Sequence, residues 1–192
     1  MNCSPDHQAE YSVQATNAGG SVKSKKTKVI VQKKPEFIKL PQSQTVKDGQ
    51  SVAFDAQIDA YPQPKVTWLK NDKPLTPDLG FESQFDVKTG HITLKQKGVT
   101  TKHAGELICR VENSAGTIDA PVILDVQTAP VVTKKLTDQE IMIDNEIRFV
   151  VDITGSPSPK ITWTKDDVPI KSDAQHIIET NGTTQTLIIK NA

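Results

Sequence analysis

A segment of this chain occurs twice, and its tryptophans, Trp68 and Trp163, stand 95 residues apart. The first copy reads AYPQPKVTWLKNDKPL from Ala60, and the second reads GSPSPKITWTKDDVPI from Gly155. Each sets a proline pair (Pro62/Pro64, Pro157/Pro159) ahead of a β-branched residue, a Thr and the Trp. Each then runs Lys-x-Asp, with a proline two positions on. A repeat of this length is a whole small domain and not a solenoid unit, so the chain is a string of like modules.

Within each module the apolar residues alternate. Val52, Phe54, Ala56 and Ile58 share one face, while Ser51, Asp55 and Gln57 share the other. In the second copy Ile147, Phe149, Val151 and Ile153 point inward, and Arg148, Asp152 and Thr154 point outward. Val66 with Trp68, and Ile161 with Trp163, continue that parity; Ile92 and Leu94 match Leu187 and Ile189. Period 2 is the pattern of half-buried strands, and no segment beyond a turn or two keeps a period of 3.6. The chain is predicted to be all-β.

A third, partial copy opens the sequence. Glu10-Tyr-Ser-Val-Gln-Ala-Thr-Asn aligns with Glu106-Leu-Ile-Cys-Arg-Val-Glu-Asn at an offset of 96, and turns ending in Gly20 and Gly116 follow. Two strands around an Asn/Gly turn make a hairpin. The strand after each turn ends in Val29-Ile-Val-Gln or Ile123-Leu-Asp-Val-Gln, followed by Lys33-Lys-Pro-Glu or Thr128-Ala-Pro-Val. These proline-marked junctions are too short to be floppy tethers. They divide the chain into residues 1–33, the last hairpin of one domain; 34–127, a complete domain; and 128–192, the front strands of another. Each end is expected to leave a half-core uncovered.

Regularly spaced strands, one Trp per unit after the second strand and a terminal hairpin describe a two-sheet sandwich. Gly49, the alternating strand, x-Pro-x-Pro, Trp, Lys-x-Asp, Gly-Glu-x-x-Cys (Gly105 to Cys109) and Asn-x-x-Gly (Asn113 to Gly116) together resemble the immunoglobulin I-set domain. The resemblance covers essentially the whole chain. It extends to the tandem immunoglobulin arrays of giant muscle proteins such as titin, twitchin and obscurin. Immunoglobulin runs without fibronectin-type modules are most similar to the obscurin family, which includes a nematode muscle M-line assembly protein.

The resemblance implies which residues form the core, and where this chain departs from the pattern. Extracellular members join their sheets by a bridge whose first position is here Ala56 and, in the second copy, Val151. Its other position is Cys109 in the middle unit and Val13 in the partial one. Cys109 thus lacks a bridging partner and is expected to be a buried, inert thiol beside Trp68. The corner tyrosine two residues earlier survives as Tyr11 but is Leu107 in the middle unit, and the Asp usual four residues before it is His7 or His103. The implied core is Trp68, Trp163, Cys109, Ala56, Val151 and Tyr11, with the middle domain held by apolar packing alone.

Lys+Arg and Asp+Glu both number 23, so no global field favours nucleic acid or an acidic membrane. Met1–Ser12 shows no apolar leader core, and no apolar run approaches the roughly 20 residues that span a bilayer. Cys3 and Cys109 are the only cysteines, fewer than secreted β-modules carry, which points to a reducing compartment. Two N-glycosylation sequons, at Asn2 and Asn181, point the other way.

Signals of chemistry are sparse. His7, His91, His103 and His176 form no metal-ligand spacing and read as solvated residues. Asp72, Asp78, Asp166 and Asp167 lie in turn-rich stretches, where Asx-type turn bonding is their expected role. Phosphate loops, nucleophile elbows and kinase motifs are missing from the sequence. No cofactor, metal or small-molecule substrate is expected.

The one charge cluster is Lys23, Lys25, Lys26 and Lys28, followed by Lys33 and Lys34. It reads either as a contact patch for an acidic filament or scaffold partner, or as lysines that keep an exposed edge from aggregating. Without interleaved aromatics it does not suggest nucleic acid. The expectation is a non-enzymatic scaffold segment in a cytoplasmic sarcomere, at the M-line or thick filament. Its partners would be other sarcomeric or cytoskeletal proteins, myosin-associated ones included. The alternative is an extracellular immunoglobulin-superfamily adhesion or receptor fragment. The parent chain could also carry a kinase domain elsewhere.

Overall fold

The computed structural model describes residues 3–190; Asn2 and its sequon lie outside them. Two compact units divide the chain, Met1–Asp125 and Val126–Ala192. Apart from two single-turn 3-10 helices, Pro5–His7 and Pro77–Leu79, the regular structure is strand.

The first unit opens with β1 (Ala9–Tyr11), β2 (Gln14–Asn17), β3 (Gly20–Lys23) and β4 (Thr27–Val29). β2 pairs with β3 from Gln14↔Lys23 to Asn17↔Gly20, and β1 pairs with β4 from Ala9↔Val29 to Tyr11↔Thr27. Between the two ladders the β3–β4 side gains one residue, at Ser24–Lys26. That extra residue is a bulge, and it accounts for the offset between copies changing from 96 to 95 along this strand.

A sandwich follows, built from β5 (Lys33–Lys39), β6 (Gln44–Lys47), β7 (Val52–Tyr61), β8 (Lys65–Lys70), β9 (Lys73–Pro74), β10 (Glu82–Asp86), β11 (His91–Gln96), β12 (Gly105–Asn113) and the start of β13 (Gly116–Lys134). One sheet has the order β10-β11-β7-β5; the other runs β13-β12-β8-β9, with β6 also on β13. Alternation places Val52, Phe54, Ala56 and Ile58 of β7 and Ile92 and Leu94 of β11 in the core. Leu107, Cys109 and Val111 of β12, and Ala120, Val122 and Leu124 of β13, cover them from the other sheet.

In the second unit the last residues of β13 pair with β14 (Ile147–Ser156). The short hairpin β15 (Thr164–Lys165) and β16 (Val168–Pro169) and the strands β17 (His176–Asn181) and β18 (Thr184–Ile189) complete it. β14 pairs with β18, and β18 with β17, in one sheet; among the described residues β15 and β16 pair only with each other. Val151, Trp163 and Leu187 are its buried cluster, flanked by half-buried Phe149, Ile153, Ile161, Ile170, Ile178 and Ile189.

Strand pairing runs into both proline-marked stretches: Lys33 and Lys34 are the first residues of β5, and Lys33 pairs with Tyr61 of β7. Thr128 likewise lies inside β13 and pairs with Ser156. Strand pairing takes these residues because an edge strand tolerates a proline where its N–H would face away from the ladder. Asp72 and Asp167 take no Asx-type role. With Asn71 and Asp166 they hold positive φ, from 49° to 65°, as the central pairs of two-residue hairpin turns. Such type I′ turns match the twist of the flanking strands and select Asn and Asp. Gly90 has φ +70°, and a Cβ there would lie 2.1 Å from the Ile58 carbonyl oxygen, so only glycine lets this turn's carbonyl accept from Ile58 N–H.

Candidate functional site

The centre of the middle domain is a packed pin between the sheets. Cys109 of β12 lies directly across from Trp68 of β8 in the antiparallel register. Phe54 packs against Trp68 with ring centroids 6.1 Å apart, tilted by 43°. Ala56 and Cys109 are fully buried and Trp68 is 3% exposed. Burial, with a smaller contribution from Asp119, pushes the Cys109 thiol up to about 12. A thiol held protonated and covered is a poor nucleophile, so this site is structural. Cys3, in contrast, is exposed.

The equivalent site of the second unit is less closed. Val151 is buried, and Trp163 is 9% exposed. Apolar grooves border Trp163 on two sides, one of about 420 Å³ lined by Leu136, Phe149, Ile170 and Leu187, the other of about 530 Å³ lined by Val132, Val151, Ile153 and Ile161.

Tyr11 is not a core residue: it is 49% exposed. Among the described residues no second sheet lies over β1 and β4, so its ring has nothing to pack under. Its hydroxyl still donates to the His7 carbonyl at 2.9 Å, which closes the corner locally. His103 corrects two expectations. It is buried, not solvated, and the middle domain is therefore not held by apolar packing alone. Its Nδ1 accepts from Thr100 N–H at 2.8 Å, Nε2 lies 3.1 Å from the Leu79 carbonyl, and Phe81 meets the ring edge-on. This hydrogen-bond pattern needs the tautomer with Nε2 protonated. His7 does the same work in the first copy, its Nδ1 accepting from Ser4 N–H at 2.9 Å. The shared signal was legible as a histidine in both copies at one repeat position. Its reading as a turn acceptor required the geometry.

The basic residues do not act as one group. Lys26 pairs with Glu10 at 3.0 Å, and Lys33 pairs with Asp59 and, at 3.6 Å, Glu36. The Asp59 hydrogen bond raises the Lys33 ammonium above its ordinary value. Lys34 lies along Gly116, where an added Cβ would meet its methylenes at 3.0 Å. Among the described residues Lys23, Lys25 and Lys28 form no ion pair. Across the hairpin β12–β13, Arg110 grips both carboxylate oxygens of its register partner Asp119, at 2.9 and 2.8 Å. That bond holds the Asp119 carboxyl below its ordinary range.

Among the described residues no three His, Cys, Asp or Glu side chains are grouped to hold a metal ion, and no helix is long and apolar enough to cross a membrane. What this chain presents chemically is sheet surface, strand edge and apolar groove, which are features suited to contact with other proteins.

Comparison with known proteins follows the same lines. The immunoglobulin I-set domain matches residues 35–126 and 130–192. The muscle M-line assembly protein unc-89 of Caenorhabditis elegans is 30% identical over 188 residues, 94% of this chain and 2% of that protein. Protein sax-3 of the same organism is also 30% identical, over 156 residues that make up 81% of this chain and 12% of the relative. An I-band fragment of titin superimposes with a TM-score of 0.72 at 22% identity, covering 99% of this chain and 66% of that fragment. The chain therefore spans only a small part of these curated relatives.

Proposed function

This chain belongs to the immunoglobulin I-set family, and from that premise we propose that it is a non-enzymatic scaffold segment of a giant cytoplasmic muscle protein. It would help organise the sarcomere, at the M-line or thick filament, through contacts with sarcomeric or cytoskeletal proteins. The division into a terminal hairpin (1–33), a complete domain (34–127) and the front of a further one (128–192) belongs to the same reading.

The observation that carries it is the pin between the sheets. Ala56 stands where extracellular members of the family place a bridging cysteine, and Cys109 is left as a free thiol buried to completeness. Dispensing with a bond typically worth about 2–4 kcal/mol suits a compartment in which it would not form. Similarity to a muscle M-line assembly protein over nearly the whole chain supports the same setting. The exposed lysines Lys23, Lys25 and Lys28 are the surface we assign to an acidic partner.

Two observations favour the second reading, an extracellular adhesion or receptor segment. Identity to sax-3 equals that to unc-89, and Asn181 stands in a sequon at an exposed strand end. Tagging the protein in its source organism separates the two. Periodic staining with an M-line marker is expected. Staining at the cell surface, with a gel shift on glycosidase treatment that Asn181→Gln abolishes, would refute the scaffold reading.

A further inference from the structure

We propose that the solvent face of the sheet β13-β12-β8-β9 in the first unit is a homodimer surface, on which a second copy of this chain docks face to face across a two-fold axis. The inference goes beyond the scaffold reading and stands whether or not that reading holds.

The surface is an apolar row that crosses the sheet. Cys109 and Trp68 face the core, so their neighbours Ile108 and Leu69 face solvent, directly across from each other in the ladder. On its other side Ile108 pairs with Pro121 of β13, and Leu69 pairs with Pro74 of β9. Each of the four strands thus gives one apolar residue to a single line. Leu69 is its covered floor, Ile108 is half-buried, and Pro74 and Pro121 are exposed. Ile123, on the same face of β13 beside Pro121, broadens the row and is 57% exposed.

A sheet packed on one side alternates to polar residues on the other, so a contiguous apolar line on the solvent face needs a cause. The repeat shows that the fold does not supply it. Ser12 holds the position of Ile108. Lys28 stands across from Glu10 as Ile123 stands across from Glu106, and Thr164 stands across from Pro169 as Leu69 does from Pro74. These three positions are polar in the other copies and apolar in the middle domain, where the same strands pair in the same register.

Charge along β12 selects the occupant. Its outward residues run Glu106, Ile108, Arg110, so an acid and a base flank the row at equal spacing. A two-fold axis lying along the row sets β12 of the second copy antiparallel to the first. Ile108 then meets Ile108, and each Glu106 meets the other copy's Arg110, so both charge contacts are attractive. Parallel stacking would instead set Glu106 on Glu106 and Arg110 on Arg110. Asp119 takes the Arg110 Nε hydrogen and one on Nη2, which leaves the Nη1 hydrogens to donate outward. Aligned sheet packing, with strand directions within about 30° of each other, keeps such near neighbours matched. Both copies use the same patch, so the contact closes at two chains. The patch is small, which puts the dimer at the weak end of specific interfaces.

Light scattering across a dilution series of the 192-residue chain tests this. The expected mass is that of one 21.0 kDa chain at the dilute end, rising toward two chains, and not beyond, at the concentrated end. Ile123→Glu sets an acid against the other copy's Asp119 and should hold the mass at one chain. Gln84→Glu, on the solvent face of the opposite sheet, should change nothing. A charge exchange fixes the geometry. Glu106→Arg alone sets base on base, and Arg110→Glu alone sets acid on acid, so each variant should stay at one chain. Mixed in equal amounts, the two variants restore both attractive contacts and should dimerise. The mass of one chain at every concentration overturns the proposal, and growth past two chains overturns the two-fold contact. So does association that survives Ile123→Glu unchanged, single charge variants that dimerise as the parent does, or a mixture of the two no heavier than either alone.

Discussion

Trp68 and Trp163 occupy the same repeat position under different cover, so truncating each to alanine isolates what the second sheet contributes. A buried tryptophan removes roughly 150–250 Å² from water, and at about 25 cal/mol per Å² that is about 4–6 kcal/mol. Alanine retains part of this, and large-to-small changes of this kind in cores cost about 3–5 kcal/mol. Trp68 earns the upper part of that range, because Phe54, Cys109 and the facing sheet leave a cavity that cannot collapse. Trp163 borders two open grooves, so its removal enlarges a space already reachable by water. About 2–3 kcal/mol is expected there, with little cavity contribution.

Cys109 reports on the first unit directly. In a Cys3→Ser background the native thiol should label slowly, because it is buried and held protonated. Each 1.4 kcal/mol is a factor of ten, so Trp68→Ala should raise the Cys109 labelling rate by roughly two to four orders of magnitude. Trp163→Ala should leave that rate unchanged while lowering the denaturant midpoint of the second unit, read by amide exchange on β14 and β18. A Trp68→Ala rate within about tenfold of the parent would refute the argument that this indole fills a closed core.

His103→Ala should weaken the first unit by about 1–3 kcal/mol, since it strips the half-buried Thr100 N–H of its acceptor. His103→Asp should recover much of the loss in urea denaturation, and a variant no better than alanine would show that ring packing against Phe81 is what matters. Stability should also fall in acid. The N–H groups of His176 and Gln175 hold Asp173, and Arg110 holds Asp119, below the ordinary aspartate value of 3.8. Folded-state values below the unfolded one give stability that is present above pH 3.8 and lost as the pH falls through the lowered values. Denaturant midpoints of the two units should therefore be level near neutrality and drop below pH 3.8. Asp173→Asn should flatten the drop in the second unit only; an unchanged drop would assign the effect elsewhere.

Much of the fold was legible because its causes are local. The alternation of Val52, Phe54, Ala56 and Ile58 declared the buried face of β7, and the same parity carried into Trp68. The Asn113-to-Gly116 turn declared the hairpin. The pin of Ala56, Cys109 and Trp68 was implied by the resemblance to the immunoglobulin pattern, and all three are buried. The candidate contact surfaces were less legible. Six lysines close in sequence looked like one patch, but Lys26 and Lys33 find carboxylates at Glu10 and Asp59, partners 16 and 26 residues away.

Residue type and spacing by themselves determined which residues alternate, where the chain turns and which positions are equivalent between copies, since backbone sterics and side-chain period act over a few residues. Tertiary structure alone decided what covers them. Tyr11 and Leu107 share one repeat position, yet the first is half exposed and the second fully buried. His103 accepts from Thr100 within its own turn, as His7 does from Ser4, but is buried only where Leu79 and Phe81 meet it from a separate segment. Burial is a property of what the rest of the chain brings opposite a residue, and that depends on contacts far apart in sequence.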